Sequence, residues 1–280
     1  MLTGKVALIT GGTDGIGKEA AIRLARLGAE VMIVGRNANK GRAAVDAIQT
    51  AIPDSRVNYL QADLSLMRQV STLAETICER VPRVDMLVHC AGVMLPKRTL
   101  TVEGLETVFA VQYLARVYLT HLLLDRLTPE SRVVNVSAGG TLPLRLDFGN
   151  LNGERFYNGV YALMHESIAN DLALLRFMRC HPHLRFYNYG PFYVKTALFA
   201  DMPGWFKLMT GTFGELMAIT PDRAADDLAA LVMTDKPSGL YSRNLKLIHP
   251  SRYRTDTARQ DRLWTVSEKL IAEAVQASQL

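Results

Sequence analysis

A glycine-rich bend, Thr10-Gly11-Gly12-Thr13-Asp14-Gly15-Ile16-Gly17, separates an apolar run, Val6-Ala7-Leu8-Ile9, from a stretch Lys18 to Leu27 whose apolar residues recur at helical spacing. This order constrains the fold more than any other feature of the chain. Glycines where a strand turns into a helix allow a tight turn, close helix–strand packing and approach of backbone amides to a phosphate at the positive helix end. Gly28 stops the helix, and Glu30-Val31-Met32-Ile33-Val34-Gly35-Arg36 reads as the next strand. The opening is a βαβ unit.

The alternation continues. The pattern predicts a helix over 40–51, a strand over 56–61, a helix over 66–80 and a strand over 86–90. A long helix is expected over about 102–127, a fifth strand over 132–137, a helix over 160–178 and a sixth strand over 184–189. Nearly continuous apolar strands between amphipathic helices mean a parallel sheet covered on both faces. The expected fold is therefore α/β, a Rossmann-type doubly wound parallel sheet with helices on both faces. One domain of 280 residues is expected, with a cofactor-binding core over 1–195, a substrate lid over 196–220 and C-terminal helices and a strand over 221–280. In the last part, Thr220-Pro221-Asp222 starts a helix running to about Met233, and Leu263 to Val275 forms a final one.

Composition excludes several functions. The net charge is +5, but the basic residues are scattered, and acids interrupt the most basic stretch, Arg252 to Arg262. Nucleic-acid binding is not expected. Three cysteines without paired spacing, Cys78, Cys90 and Cys180, suggest neither a disulfide framework nor a thiolate metal site. No secretory signal pattern opens the chain, and no apolar run approaches the roughly 18 residues of a membrane span, so a cytoplasmic protein is expected. His181-Pro182-His183 lacks an acidic or thiol partner at ligand spacing and reads as surface; no metal is expected.

Thr-Gly-x-x-x-Gly-Ile-Gly resembles the cofactor fingerprint of the short-chain dehydrogenases/reductases, here at Gly11, Thr13, Asp14, Gly15, Ile16 and Gly17. Asp63-Leu64 is similar to that family's adenine-contacting pair. His89-Cys90-Ala91-Gly92 resembles its Asn-Asn-Ala-Gly motif with both asparagines replaced. Arg262 to Leu270 and Asp147 to Tyr157 look like the retinol-dehydrogenase-like branch. The resemblance spans essentially the whole chain. It implies a nicotinamide cofactor held also by Cys90, Ala91, Gly92, Tyr161, His165, Pro191, Val194 and Thr196, and pairing into a homodimer or homotetramer through the long helices after strands four and five. At the tip of strand two Arg36, followed by Asn37, stands where an acid would bind ribose hydroxyls. A guanidinium there suits a 2′-phosphate, so NADP(H) is expected over NAD(H).

The resemblance also implies hydride transfer with a tyrosine phenol as proton donor, tuned by a lysine one helical turn away, with a serine orienting the carbonyl and an asparagine supporting a relay. A free phenol has a pKa near ~10 and needs such tuning. The chain departs at three of these places. Tyr161-Ala162-Leu163-Met164-His165 keeps the tyrosine but places His165 at the lysine position. Ala138 follows Ser137 where the second serine is expected, leaving Ser137 as the substitute, and Gln112 replaces the asparagine. A competing alignment through Ile168-Ala169-Asn170 shifts the register by two residues and puts Leu163 at the tyrosine position; Phe156, Gly159 and Val160 favour Tyr161. Phe192 adds bulk near the nicotinamide. Phe199, Met202, Trp205 and Phe206, spread among Gly, Thr and Pro, read as a cover over an apolar small-molecule substrate.

Three functions fit these residues. First is an NADP(H)-dependent oxidoreductase acting on a carbonyl, imine or conjugated double bond, with Tyr161 as proton donor. Second is a non-redox cyclase or isomerase on the same fold, and third is a catalytically inactive NADP(H)-binding protein.

Overall fold

The computed structural model describes residues 1–137, 144–191, 194–196, 198 and 218–277. Strands β1 (Val6–Thr10), β2 (Glu30–Gly35), β3 (Val57–Gln61), β4 (Met86–His89), β5 (Arg132–Val136), β6 (Arg185–Gly190), β7 (Gly239–Ser242) and β8 (Lys246–Ile248) form one sheet in the order β3-β2-β1-β4-β5-β6-β7-β8. Pairing is parallel except between β7 and β8. Strand order reverses at β1, so the carboxyl ends of β1 and β4 flank the crevice where doubly wound sheets bind ligands.

Helices are α1 (Gly15–Arg26), α2 (Ala38–Ala51), α3 (Met67–Arg80), α4 (Thr107–Phe109), α5 (Ala115–Leu122), α6 (Gly159–Cys180), α7 (Pro221–Val232), α8 (Arg252–Thr255) and α9 (Thr257–Ala277). Successive strand residues point to opposite faces. Val6 and Leu8 accordingly join the core under α3, α5, α6 and α9, whereas Ala7 and Ile9 join the one under α1, α2 and α7. Each fully buried aliphatic side chain contributes about 1.5–3 kcal/mol, so two apolar layers hold the sheet from both sides.

Three elements differ from the sequence pattern. The long helix expected over 102–127 begins only at Thr107. Val102 is exposed, Gly104 turns at φ +78°, and Glu106 caps the helix by accepting from the Val108 and Phe109 amides. Between α4 and α5, Ala110–Leu114 forms a π-helical turn. The last helix starts at Thr257, six residues before Leu263, and an added strand, β8, closes the sheet edge.

α9 lies across α6. Trp264 meets Phe177 edge-on at 5.4 Å, Arg176 stacks 4.1 Å over the Trp264 ring, and Ser267 Oγ is 2.9 Å from Tyr113 Oη. No helix among the described residues is long and apolar enough to cross a membrane.

Candidate active site

The bend after β1 is shaped by contacts that exclude side chains. Gly11 has φ +67°, and a Cβ there would lie 2.6 Å from the Ala91 amide nitrogen; one at Gly17 would collide with the Gly11 carbonyl. Asp14 caps α1, its carboxylate accepting from the Gly15 amide at 2.7 Å. Thr13 packs over Gly35, and Ile16 packs on the core under α1. Asp14 thus takes the Gly15 amide with its carboxylate and the Lys18 amide with its carbonyl, and the N-terminus of α1 stands above the β1–β4 crevice.

Around this bend stand the other residues expected to hold a dinucleotide. Arg36 and Asn37 are exposed at the tip of β2; Asn37 caps α2 by accepting from the Lys40 amide at 3.0 Å, and Gln61 Nε2 donates to the Arg36 carbonyl at 3.2 Å. Asp63 accepts from the Ser65 amide at 2.9 Å, and Leu64 is buried beside it. Thr196 reaches the bend, its methyl 3.3 Å from where a Gly15 Cβ would be, while Val194 and Pro191 are buried. Phe192, Phe199, Met202, Trp205, Phe206 and Ala138 lie outside the described residues, as does most of the expected lid.

At the end of β4, packing pushes the Cys90 thiol up to about 12 and the His89 imidazole down to about 3, so both are neutral at physiological pH. Their replacement of a pair of amides leaves no added charge on the crevice floor. Gly92 lies directly over Gln112, whose Oε1 would be 2.6 Å from a Gly92 Cβ. Gln112 sits within the π-helical turn, and its carbonyl accepts from Asn170 Nδ2 at 2.8 Å. Its own side-chain Nε2 is buried without a hydrogen-bond partner among the described residues.

The face that α6 turns to the crevice is settled by three contacts. Ser167 Oγ lies 2.9 Å from Ser137 Oγ, Asn170 reaches Gln112, and Leu163 packs with Met94 and Leu198. Residues 163, 167 and 170 follow the i, i+4, i+7 spacing of one helix face. Tyr161 and His165 belong to a different face, because two residues rotate a helix by about 200°. Tyr161 stacks on His165 at 5.0 Å and meets Phe156 edge-on at 5.1 Å, while Asn150 Nδ2 lies 3.4 Å from its hydroxyl. His165 Nε2 accepts from the Asp147 amide at 2.8 Å. Burial holds this imidazole down to about 4 against the pull of Asp147, so it carries no charge near neutrality. Ser137 and Gln112 thus contact Ser167 and Asn170 of α6, whereas the Tyr161 and His165 rings stack on each other and pack against the 147–156 loop.

A buried polar cluster was not anticipated from the sequence. Arg116, 4% exposed, donates from Nη1 to the Val136 carbonyl at 2.7 Å and from Nη2 to the Ala91 carbonyl at 2.8 Å. Glu166, 1% exposed, accepts from Asn170 Nδ2 at 2.6 Å. Burial raises the Glu166 carboxyl to about 8, against the attraction of Arg116. The available signal was a charged residue one turn after Gln112 in an otherwise apolar helix. Among the described residues no three metal-ligating side chains converge.

The short chain dehydrogenase family model matches residues 5–144. Retinol dehydrogenase 12 of Bos taurus is 40% identical over 173 residues, covering 61% of this chain and 55% of that protein. The chain thus matches about half the length of that curated relative. A crystal structure of an uncharacterized protein from Mycobacterium paratuberculosis superposes with a TM-score of 0.77 at 27% identity, covering 97% of this chain and 94% of that one. A metagenomic short-chain oxidoreductase in complex with NADP has the same fold, with a TM-score of 0.65 at 22% identity, covering 89% and 98%.

Proposed function

The chain belongs to the short-chain dehydrogenase family, and from that premise we propose that it is an NADP(H)-dependent oxidoreductase whose apolar substrate needs little acid assistance at the reacting carbon. An iminium, a conjugated alkene or an activated carbonyl is such a substrate. The bend after β1 supports this reading: Gly11 packs on Ala91 and Gly17 on Gly11 so closely that neither position has room for a Cβ, which draws the N-terminus of α1 against the ends of β1 and β4. A side-chain-free bend that sets a helix N-terminus at the sheet's switch point fits a pyrophosphate.

In this reading Gly11, Thr13, Gly15, Ile16 and Gly17 line the diphosphate, with Asp14 holding the end of α1. Arg36 and Asn37 face the 2′-phosphate, Asp63 and Leu64 the adenine. Cys90, Ala91 and Gly92 line the adjoining ribose, and Pro191, Val194 and Thr196 flank the carboxamide. NADP(H), when bound, supplies or accepts hydride at its nicotinamide ring. The chain's own contribution is positioning and exclusion of water, since apolar Met94, Leu163 and Leu198 pack together beside the crevice. Ser137, hydrogen-bonded to Ser167, is the hydroxyl placed to orient a polar substrate atom, with Gln112 beneath Gly92 supporting the floor. Tyr161 donates a proton only to a substrate that reaches the 147–156 loop. The relative solved with NADP shares the fold, which supports the nucleotide class.

Leu163 on the crevice face favours a second reading, in which NADP(H) is bound without turnover. Reduced-nicotinamide absorbance separates the two. Steady NADPH consumption with at least one member of an iminium, enone and activated-carbonyl panel is expected. Binding without consumption across that panel supports the second reading.

A further inference from the structure

Arg116 enters the sheet from beneath the crevice and uses both arms of its guanidinium on main-chain carbonyls. One belongs to Ala91, just past β4, and the other to Val136, the last residue of β5. Those strand ends carry Gly92 and Ser137 into the crevice. The Ala91 peptide is also fixed from its other side, where its amide donates to Thr10 Oγ1 at 3.4 Å and faces Gly11. A rigid planar fork suits two carbonyls on neighbouring strands; an ammonium, as a point charge on a flexible stem, does not reproduce it.

The charged and titratable groups around this guanidinium are Glu166, Cys90 and His89, with Asp171 adding to the field at Glu166. Asp171 is itself paired with Arg254 at 2.7 Å. Cys90 and His89 are held neutral, and burial raises the Glu166 carboxyl to about 8 against the attraction of Arg116, so the main-chain carbonyls are the hydrogen-bond acceptors that hold the guanidinium.

We propose that Arg116 is the positioning residue for the nicotinamide half of the cofactor site: by tying the Ala91 carbonyl to that of Val136 it sets the spacing of the two strand ends that form the crevice floor. The inference rests on the reading of the site as an NADP(H) site. It separates the two halves of the ligand, because Arg36 and Asp63 lie on the far side of β1, beyond the reach of the clamp.

Calorimetric titration of NADPH and of 2′,5′-ADP, which carries only the adenosine half, tests it. For Arg116→Met, affinity for NADPH falls by about tenfold or more while 2′,5′-ADP binds within about twofold of wild type. Arg116→Lys, which keeps charge but not the fork, recovers only part of the loss. So that folding does not decide the result, the double variant Arg116→Met/Glu166→Met removes the guanidinium and the neighbouring carboxyl together, and the same selective loss is expected of it. Equal weakening of both ligands, or wild-type NADPH affinity in the folded double variant, overturns the proposal. Failure of the wild-type chain to bind NADPH instead retires the reading beneath it.

Discussion

Ser137 Oγ stands 2.9 Å from Ser167 Oγ, and this contact fixes the rotation of α6 against the end of β5. With Ser167 turned to the crevice, Leu163 lies one helical turn before it on the same face, beside Met94 and Leu198, and Tyr161 is turned to the 147–156 loop. Tyr161→Phe is expected to leave NADPH turnover within about twofold of wild type, because general acid catalysis contributes about 10²–10⁴-fold where it operates. A loss on that larger scale would place the phenol at the reacting carbon and refute this rotation. Conversely, Leu163→Tyr should raise reduction of simple ketones.

Arg36 should decide which dinucleotide binds. A charge-assisted hydrogen bond contributes about 1.5–3 kcal/mol, so Arg36→Ala is expected to weaken NADPH roughly 10–100-fold and leave NADH unchanged. Fluorescence titration of both reduced forms reads the difference. An equal effect on the two would assign Arg36 to the solvated surface.

Two buried groups give stability an opposed pH dependence. His165 has a folded pKa lowered from 6.5 to about 4, so the unfolded chain binds the extra proton between those values and stability is lost as pH falls through them. Glu166 is raised from 4.5 to about 8, so the folded chain holds the extra proton and stability is lost as pH rises toward 8. His89, lowered to about 3, adds to the acid-side loss. Glu166→Gln should remove the loss above neutrality while keeping that on the acid side, as read from urea midpoints between pH 5 and pH 8. An unchanged alkaline limb would mean that Glu166 is ionised throughout.

The relation of α9 to α6 bears on assembly. Trp264 and Ser267 cover Phe177 and Tyr113 on the outer side of the helices through which pairing was expected. Light scattering is predicted to give a monomer for the whole chain, and self-association for a chain ending before Thr257. A whole-chain dimer that persists when Trp264 is changed to Ala would show pairing elsewhere.

Much of the fold was legible in the sequence because its signals are local. Strand, glycine bend and helix follow one another within residues 6–27, and each βα unit repeats that order. The start of α4 was not, since Leu100 and Val102 continue an apolar spacing that the turn at Gly104 interrupts. The cofactor side of the site was readable for the same local reason. The opposite side depended on the rotation of α6, and Tyr161 and Leu163 both offer plausible spacing until Ser137 and Gln112, remote in the chain, select one face. Arg116 and Glu166 were hidden because a charged residue inside a helix carries no mark of burial or of the strand-end carbonyls it meets.

On the proposed reading, the bend after β1, with Arg36 at the tip of β2, holds a 2′-phosphorylated dinucleotide. Isothermal calorimetry of the whole chain with NADPH and with NADH tests it most directly. Saturable binding of NADPH about 10–100-fold tighter than that of NADH is expected. Absence of heat with either nucleotide at millimolar concentration would contradict it.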